Sequence, residues 1–155
     1  MWRLVCASGV LDENSCYAYL LCCQHFAGTS IIAAQQGKLA GFVTAYRLPE
    51  RPETVFVWQV AVAAWARRQG IALAMLRQVL AAPGCRDVTR LEATVTPSNV
   101  PSRRLFQTLA GELGTPLRVE EGFNHSHFAG GQHEDEELFR LGPFRNGFCQ
   151  TKEKR

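Results

Sequence analysis

Two short stretches of this chain carry side chains whose types and spacing suit chemistry. The first is Arg67-Arg68-Gln69-Gly70-Ile71-Ala72, which follows apolar Val55–Val62 and leads into the run Ala72–Leu80. Its order is strand, basic glycine turn, helix. A helix start of this kind presents unpaired N–H groups and a positive dipole end to an anion. Gly70 allows a close backbone approach that a side chain would block, and Ala72 keeps the helix start small. The stretch reads as a cradle for a phosphate-bearing cofactor, and so points to an enzyme. The second stretch, His133-Glu134-Asp135-Glu136-Glu137, opens a segment that turns apolar toward Leu141. Read as a strand, it places Glu134 and Glu136 on one face and Asp135 and Glu137 on the other. One face could meet a cleft while the other stays in water.

Positioning these stretches takes one domain. At 155 residues, 46% hydrophobic and 20% charged, the chain can bury a sizeable core, over residues 1–144, with 145–155 as a loose tail. A net charge of +3 is too small to argue for nucleic acid. No apolar run approaches the roughly 18–20 residues that span a bilayer, and Met1–Val10 is too interrupted for a signal peptide, so the expected location is the cytoplasm. Cys6, Cys16, Cys22, Cys23, Cys85 and Cys149 form no Cys-x-x-Cys pair. They read as free thiols rather than zinc ligands or a disulfide framework.

Periodicity and turn residues predict a helix over Asp12–Phe26, capped by Asp12 or Asn14-Ser15. A hairpin follows, with strands Ser30–Gln35 and Leu39–Arg47 around Gln36-Gly37-Lys38. Next come a loop at Pro49–Glu53, a buried strand Val55–Val62 and a helix Ile71–Leu80 ended by Pro83-Gly84. A strand Leu91–Thr96 leads to a helix over Pro101–Leu113, capped by Ser98-Asn99. A loop over Gly122–Gln132 precedes the last strand, His133–Leu141. The pattern is an α/β or α+β layered sheet.

Arg67-x-x-Gly70-x-Ala72 between strand and helix resembles the acyl-CoA site of the GNAT superfamily of N-acetyltransferases. Asn99-x-x-Ser102-x-x-Leu105-Phe106, after the Leu91–Thr96 strand, resembles that superfamily's second cofactor segment. Five further segments resemble the L-2,4-diaminobutyrate acetyltransferases of ectoine biosynthesis. They are Leu11–Leu21, Phe56–Val62, Thr94–Asn99, His133-Glu134-x-Glu136 and Arg140–Phe144. The resemblance covers about residues 4–144. It implies a GNAT fold, with a central mixed, mostly antiparallel sheet flanked by helices. Against that pattern the chain starts inside or just before the first helix, so either the sequence is truncated or the sheet has lost its first edge strand, and Cys16 replaces the usual proline before Tyr17.

The resemblance implies acetyl transfer from acetyl-CoA to the 4-amino group of L-2,4-diaminobutyrate, without a metal and in a homodimer. Backbone N–H groups of Arg67, Arg68, Gln69, Gly70, Ile71 and Ala72 would hold the pyrophosphate, with Asn99 and Ser102 as further cofactor residues. The pantetheine arm would run along Val60-Ala61-Val62, between diverging strands. A free N–H there, foremost that of Val60, would stabilise the tetrahedral oxygen. The diamine is mostly protonated at neutral pH, so a base or water relay must take a proton. Glu136 is the expected amine-binding carboxylate and base, with His133 beside it. Asp12 and Tyr17 are further substrate candidates. Trp58 should wall the pocket or make a cation–π contact, with Gln59 on the opposite face. Phe106 stands where a tyrosine commonly protonates the departing thiolate, which phenylalanine cannot do. Tyr46 has no place from sequence, and Arg47 is available for the substrate carboxylate. His125, His127 and His133 have spacing that could mimic a metal site. The alternatives are an acetyltransferase for another small amine or a protein lysine, and a non-catalytic acyl-CoA-binding module.

Overall fold

The computed structural model describes residues 1–9, 13–129 and 133–145. Asp12, Cys149 and the tail beyond 145 lie outside the described residues.

A six-stranded sheet in the order β1-β2-β3-β4-β6-β5 carries helices on both faces. Helices α1 (Trp2–Ser8) and α2 (Cys16–His25) come first. Ser15 caps α2, its Oγ accepting the Ala18 N–H at 3.2 Å, which is the N-cap exchange a serine favours. Strands β1 (Ile31–Gln35) and β2 (Lys38–Leu48) form a hairpin. Gln36 (φ 51°) and Gly37 (φ 74°) make its two-residue left-handed turn, which matches the twist of the paired strands. Strand β3 (Arg51–Val62) pairs antiparallel with β2, and its short parallel pairing with β4 (Arg90–Val95) requires the crossover through α3 (Ile71–Ala81). Helix α4 (Val100–Glu112) starts at Asn99, whose Oδ1 accepts the Ser102 N–H at 3.1 Å. Strands β5 (Leu117–Phe123) and β6 (Glu136–Leu141) complete the sheet, both antiparallel in their pairings.

The main core lies between the sheet and α3 and α4, around Val43, Val57, Leu76, Leu80, Leu91, Phe106, Leu109 and Phe139. A smaller core of Val5, Tyr19, Phe42 and Ala61 lies under α1 and α2.

Several elements depart from the sequence reading. Strand β3 starts at Arg51, inside the loop expected at Pro49–Glu53, because Arg51 pairs with Leu48 across a tight turn, and β6 starts only at Glu136, three residues after His133. Strand β5 begins before the loop expected at Gly122–Gln132 and takes in Gly122 and Phe123. It is one of the two edge strands, exposed along both faces after Leu117, so it has no alternation to betray it. Helix α1 buries only Val5 and leaves no helical apolar period. No strand precedes α1 among the described residues. No described helix is long and apolar enough to cross a membrane.

Candidate active site

Register places a backbone donor where the sheet opens. Ala63 N–H donates to the Ala40 carbonyl at 2.8 Å, one step beyond the pairs Gly41↔Val62, Phe42↔Ala61 and Val43↔Val60. Hydrogen-bonded and non-bonded pairs alternate in an antiparallel ladder. Phe42–Ala61 is therefore a bonded pair, and the backbone groups of Val60 and Val62 turn away from β2 toward β4. Strand β4 has left by then, because the parallel pairing ends at Val57↔Ala93. The N–H groups of Val60 and Val62 thus face the gap between diverging strands.

A β-bulge sets this geometry. Gln59 and Val57 oppose the consecutive residues Thr44 and Ala45, which leaves Trp58 as the extra residue. The bulge shifts the alternation. Val55 and Val57 before it, and Val60 and Val62 after it, pack toward the main core. Phe56, packed at a tilt against Tyr46 (5.5 Å between centroids, planes 40° apart), lies on the face of α1 and α2, and so does Gln59, whose Oε1 accepts the Tyr19 hydroxyl at 2.9 Å. Gln59 therefore borders the same cleft as Trp58, against the expectation of opposite faces.

On the α3 and α4 side a cleft of about 630 Å³ runs from Val60–Val62 to the start of α3. Arg68 (φ 63°) and Gly70 (φ 74°) both take left-handed backbone. At Gly70 no protein atom lies within 4 Å of where a Cβ would sit, so within the protein itself the need for glycine is conformational, set by its left-handed φ. The first intrahelical bond at the start of α3 runs from Ala74 N to Gly70 O, so the earlier N–H groups of Ile71, Ala72 and Leu73 are available to an anion. Of the expected cofactor residues, Val60, Ala61, Val62, Arg67, Arg68, Gly70, Ile71, Ala72, Asn99 and Ser102 all border this cleft. The Gln69 side chain turns to Gln35 and to the Trp65 carbonyl instead. Arg104 and Thr108, one turn apart on α4, also border it. The adjacent Arg103-Arg104 pair was their sequence signal.

On the opposite face a second cleft of about 740 Å³ is walled by Tyr46, Phe56, Trp58 and Phe128. The two clefts share Val60, Asn99 and Ser102. Glu136 opens β6 with its side chain toward this second cleft, largely shielded, and His133 Nε2 lies 3.8 Å from its Oε1. The four acids do not split into a wet face and a cleft face. Glu134 precedes β6 and accepts from Ser98 N–H at 3.2 Å. Asp135 accepts from His125 N–H at 2.7 Å, and that bond, with the His125 ring, holds its carboxyl below the usual range. Glu137 is not left to water but pairs with Arg103 of α4. Gly122 is the missed neighbour: a Cβ there would collide with the Glu136 carbonyl, so only glycine lets β5 lie this close to Glu136.

Glu92 forms the inner end of this cleft. It is 3% exposed, and Arg51 grips it with two bonds of 2.6 and 3.0 Å. Arg140 Nε lies 3.1 Å from the same carboxylate. Arg51, not Arg47, is the guanidinium bordering the cleft. Arg47 is held by two bonds to Asp87, at 2.8 and 2.9 Å. Burial pushes the Tyr46 phenol up, so it stays protonated at neutral pH. Tyr17 is 67% exposed and does not border the cleft, whereas Asn14, expected to be a cap, does. Phe106 is buried in the main core and reaches the cleft floor. His125 and His127 are engaged by Asp135 and by the Asn124 N–H. Cys6, Cys16, Cys22, Cys23 and Cys85 are free thiols.

Comparison with known proteins bears on this arrangement. The family model for the acetyltransferase (GNAT) family matches residues 2–111. The L-2,4-diaminobutyric acid acetyltransferase of Bordetella parapertussis is 48% identical, over 92% of this chain and 77% of that protein. The protein of the same name from Marinococcus halophilus is 44% identical, over 93% of this chain and 83% of its own length. Among solved structures, diaminobutyrate acetyltransferase EctA from Paenibacillus lautus, in complex with L-2,4-diaminobutyric acid and coenzyme A, superposes with a TM-score of 0.90. It is 48% identical, over 92% of this chain and 87% of that one. Naa20 from Chaetomium thermophilum, at 18% identity and a TM-score of 0.69, shares the fold.

Proposed function

The chain belongs to the GNAT acetyltransferases and, within them, to the L-2,4-diaminobutyric acid acetyltransferases, and from that premise we propose how it works. It transfers the acetyl group of acetyl-CoA to the 4-amino group of L-2,4-diaminobutyrate. The product, Nγ-acetyl-L-2,4-diaminobutyrate, serves ectoine biosynthesis and osmoprotection. One observation carries the reading: two clefts on opposite sheet faces meet at Val60, where a backbone N–H faces the gap.

Arg67–Ala72 and the start of α3 hold the diphosphate through backbone N–H groups, with Arg67, Arg68 and Arg104 adding positive charge. Val60–Val62 guide the pantetheine arm into the gap, and Asn99 and Ser102 line its other side. Trp58 and Phe56 wall the acceptor, and Glu136 binds its ammonium group. Glu136, with His133 beside it, takes a proton from that nitrogen, and the neutral amine attacks the thioester carbonyl. The Val60 N–H receives the developing oxyanion, a contact worth about 2.7–4 kcal/mol where such donors have been removed. Phe106 gives the departing thiolate no proton, so solvent or another donor supplies it. Arg51 is placed for the acceptor's carboxylate. Asp12 is a further acceptor contact on the resemblance alone.

Residues 1–144 act as one acetyltransferase domain, and use of acetyl-CoA favours the cytoplasm. The exposed edge strand β5, with Val119 and Phe123 uncovered, is compatible with a homodimer. A panel of acceptors tests the substrate: L-2,4-diaminobutyrate, ornithine, lysine, putrescine and a lysine peptide, ranked by kcat/KM with acetyl-CoA. Diaminobutyrate should lead. Preference for the polyamine or the peptide would reject the substrate assignment.

A further inference from the structure

Beside the acceptor cleft, the segment between β5 and β6 stacks two rings face to face. The Phe128 ring lies on the His133 imidazole with centroids 3.9 Å apart and planes 11° apart. Phe128 is half-buried, borders the acceptor cleft, and meets Phe123 edge-on at 6.5 Å. His133 Nδ1 lies 2.6 Å from the Glu134 carbonyl oxygen. A carbonyl can only accept, so Nδ1 carries the hydrogen, and Nε2 is the nitrogen turned toward Glu136, 3.8 Å away. Two restraints thus act on one ring. The Phe128 face fixes the plane of the ring, and only in that plane does the Glu134 carbonyl meet Nδ1 and so set which nitrogen is protonated and which points to Glu136.

We propose that Phe128 is a positioning residue for His133, holding the imidazole edge-on to Glu136 so that Nε2 and the carboxylate meet the substrate ammonium as one unit. The proposal rests on the reading of Glu136 and His133 given above. An aliphatic side chain at 128 fills space but offers no flat face, so the ring tilts, Nδ1 leaves the Glu134 carbonyl and Nε2 leaves the carboxylate. Loss of orientation, rather than loss of a contact to substrate, is then the defect.

The test compares Phe128→Leu with Phe128→Tyr in the full chain. Phe128→Leu should lower kcat by up to about 100-fold, the loss that a misplacement of about 1 Å can cause, with KM for acetyl-CoA unchanged. Phe128→Tyr, which keeps the face, should restore kcat. In ¹⁵N spectra of the imidazoles, His133 should show the Nδ1–H tautomer in the wild type and in Phe128→Tyr, and shift toward Nε2–H in Phe128→Leu. Wild-type kcat in Phe128→Leu, or an unchanged tautomer, would overturn the proposal, as would a Phe128→Tyr protein as slow as Phe128→Leu. The spectra need no turnover. A wild-type protein that releases no thiol on adding diamine would sink the reading of Glu136 and His133 while leaving the stack measurable.

Discussion

The two clefts that meet at Val60 are built in opposite ways. The cofactor cleft is lined mostly by one stretch of chain, residues 60–73, closed by the first turns of α4. Its donors are N–H groups that any side chain would leave in place, provided Gly70 can take its left-handed φ of 74°. The acceptor cleft is made of side chains from β2, β3, β4, β5 and β6 and from the segment carrying Phe128 and His133. Two of its carboxylates already face other protein groups: Glu92 faces Arg51 and Arg140, and Glu136 has His133 close by. A backbone site tolerates substitution and recurs across a family. A side-chain site fixes one substrate and fails when one partner is lost.

Substitutions on either side should therefore separate cleanly. The largest effect belongs to the acceptor cleft. Glu136→Gln should lower kcat by about 100- to 10,000-fold, the range of general acid–base catalysis, with acetyl-CoA affinity by calorimetry unchanged. A full rate at saturating diamine would end the base assignment. Gly70→Glu comes next, in the other cleft. Forcing a side chain into left-handed backbone costs about 1–3 kcal/mol, and the carboxylate opposes the diphosphate at the α3 start. Acetyl-CoA affinity should fall at least about fivefold on that range, with the circular dichroism spectrum retained. Unchanged affinity would remove the anchoring role. Arg51→Met should raise the diamine KM and, by leaving Glu92 less satisfied, lower unfolding free energy in urea by about 1–3 kcal/mol. An effect on acetyl-CoA KM instead would break the division between the clefts.

The smallest effect concerns the His125–Asp135 clasp beside the acceptor cleft. Asp135 has a carboxyl held below its ordinary value of 3.8 by the His125 N–H and ring. A lowered folded-state value means that its contribution is complete above the unfolded value and lost as pH falls through the folded one. Asp135→Asn should therefore destabilise slightly at pH 7, and the difference from wild type should vanish in strong acid. Urea titrations at the two pH values measure it. A difference that grows on acidification would contradict the clasp.

The same contrast governs what was legible in the sequence. The cradle could be read because its glycine, its arginines and its flanking strand and helix are adjacent in the chain, and the structure places all but the Gln69 side chain along one cleft. Glu136, His133 and Trp58 were found through resemblance to a subfamily, since no local pattern distinguishes them from a solvated charge run or a core aromatic. Register hid the rest. The bulge at Trp58 turned Gln59 onto the cleft face, and no residue type announces a bulge there. Arg51 was missed in favour of Arg47 because the strands' pairing decides which guanidinium reaches Glu92 and which reaches Asp87. Strand β5, wet on both faces, lacked the alternation by which strands are recognised.

The most direct test of the joined clefts is thiol release from acetyl-CoA with L-2,4-diaminobutyrate as the acceptor, with the acetylated nitrogen located by tandem mass spectrometry. Release should depend on the diamine, and the acetyl group should sit on the 4-amino nitrogen alone. Release that ignores the diamine, or acetylation at the 2-amino nitrogen, would contradict the joined-cleft mechanism.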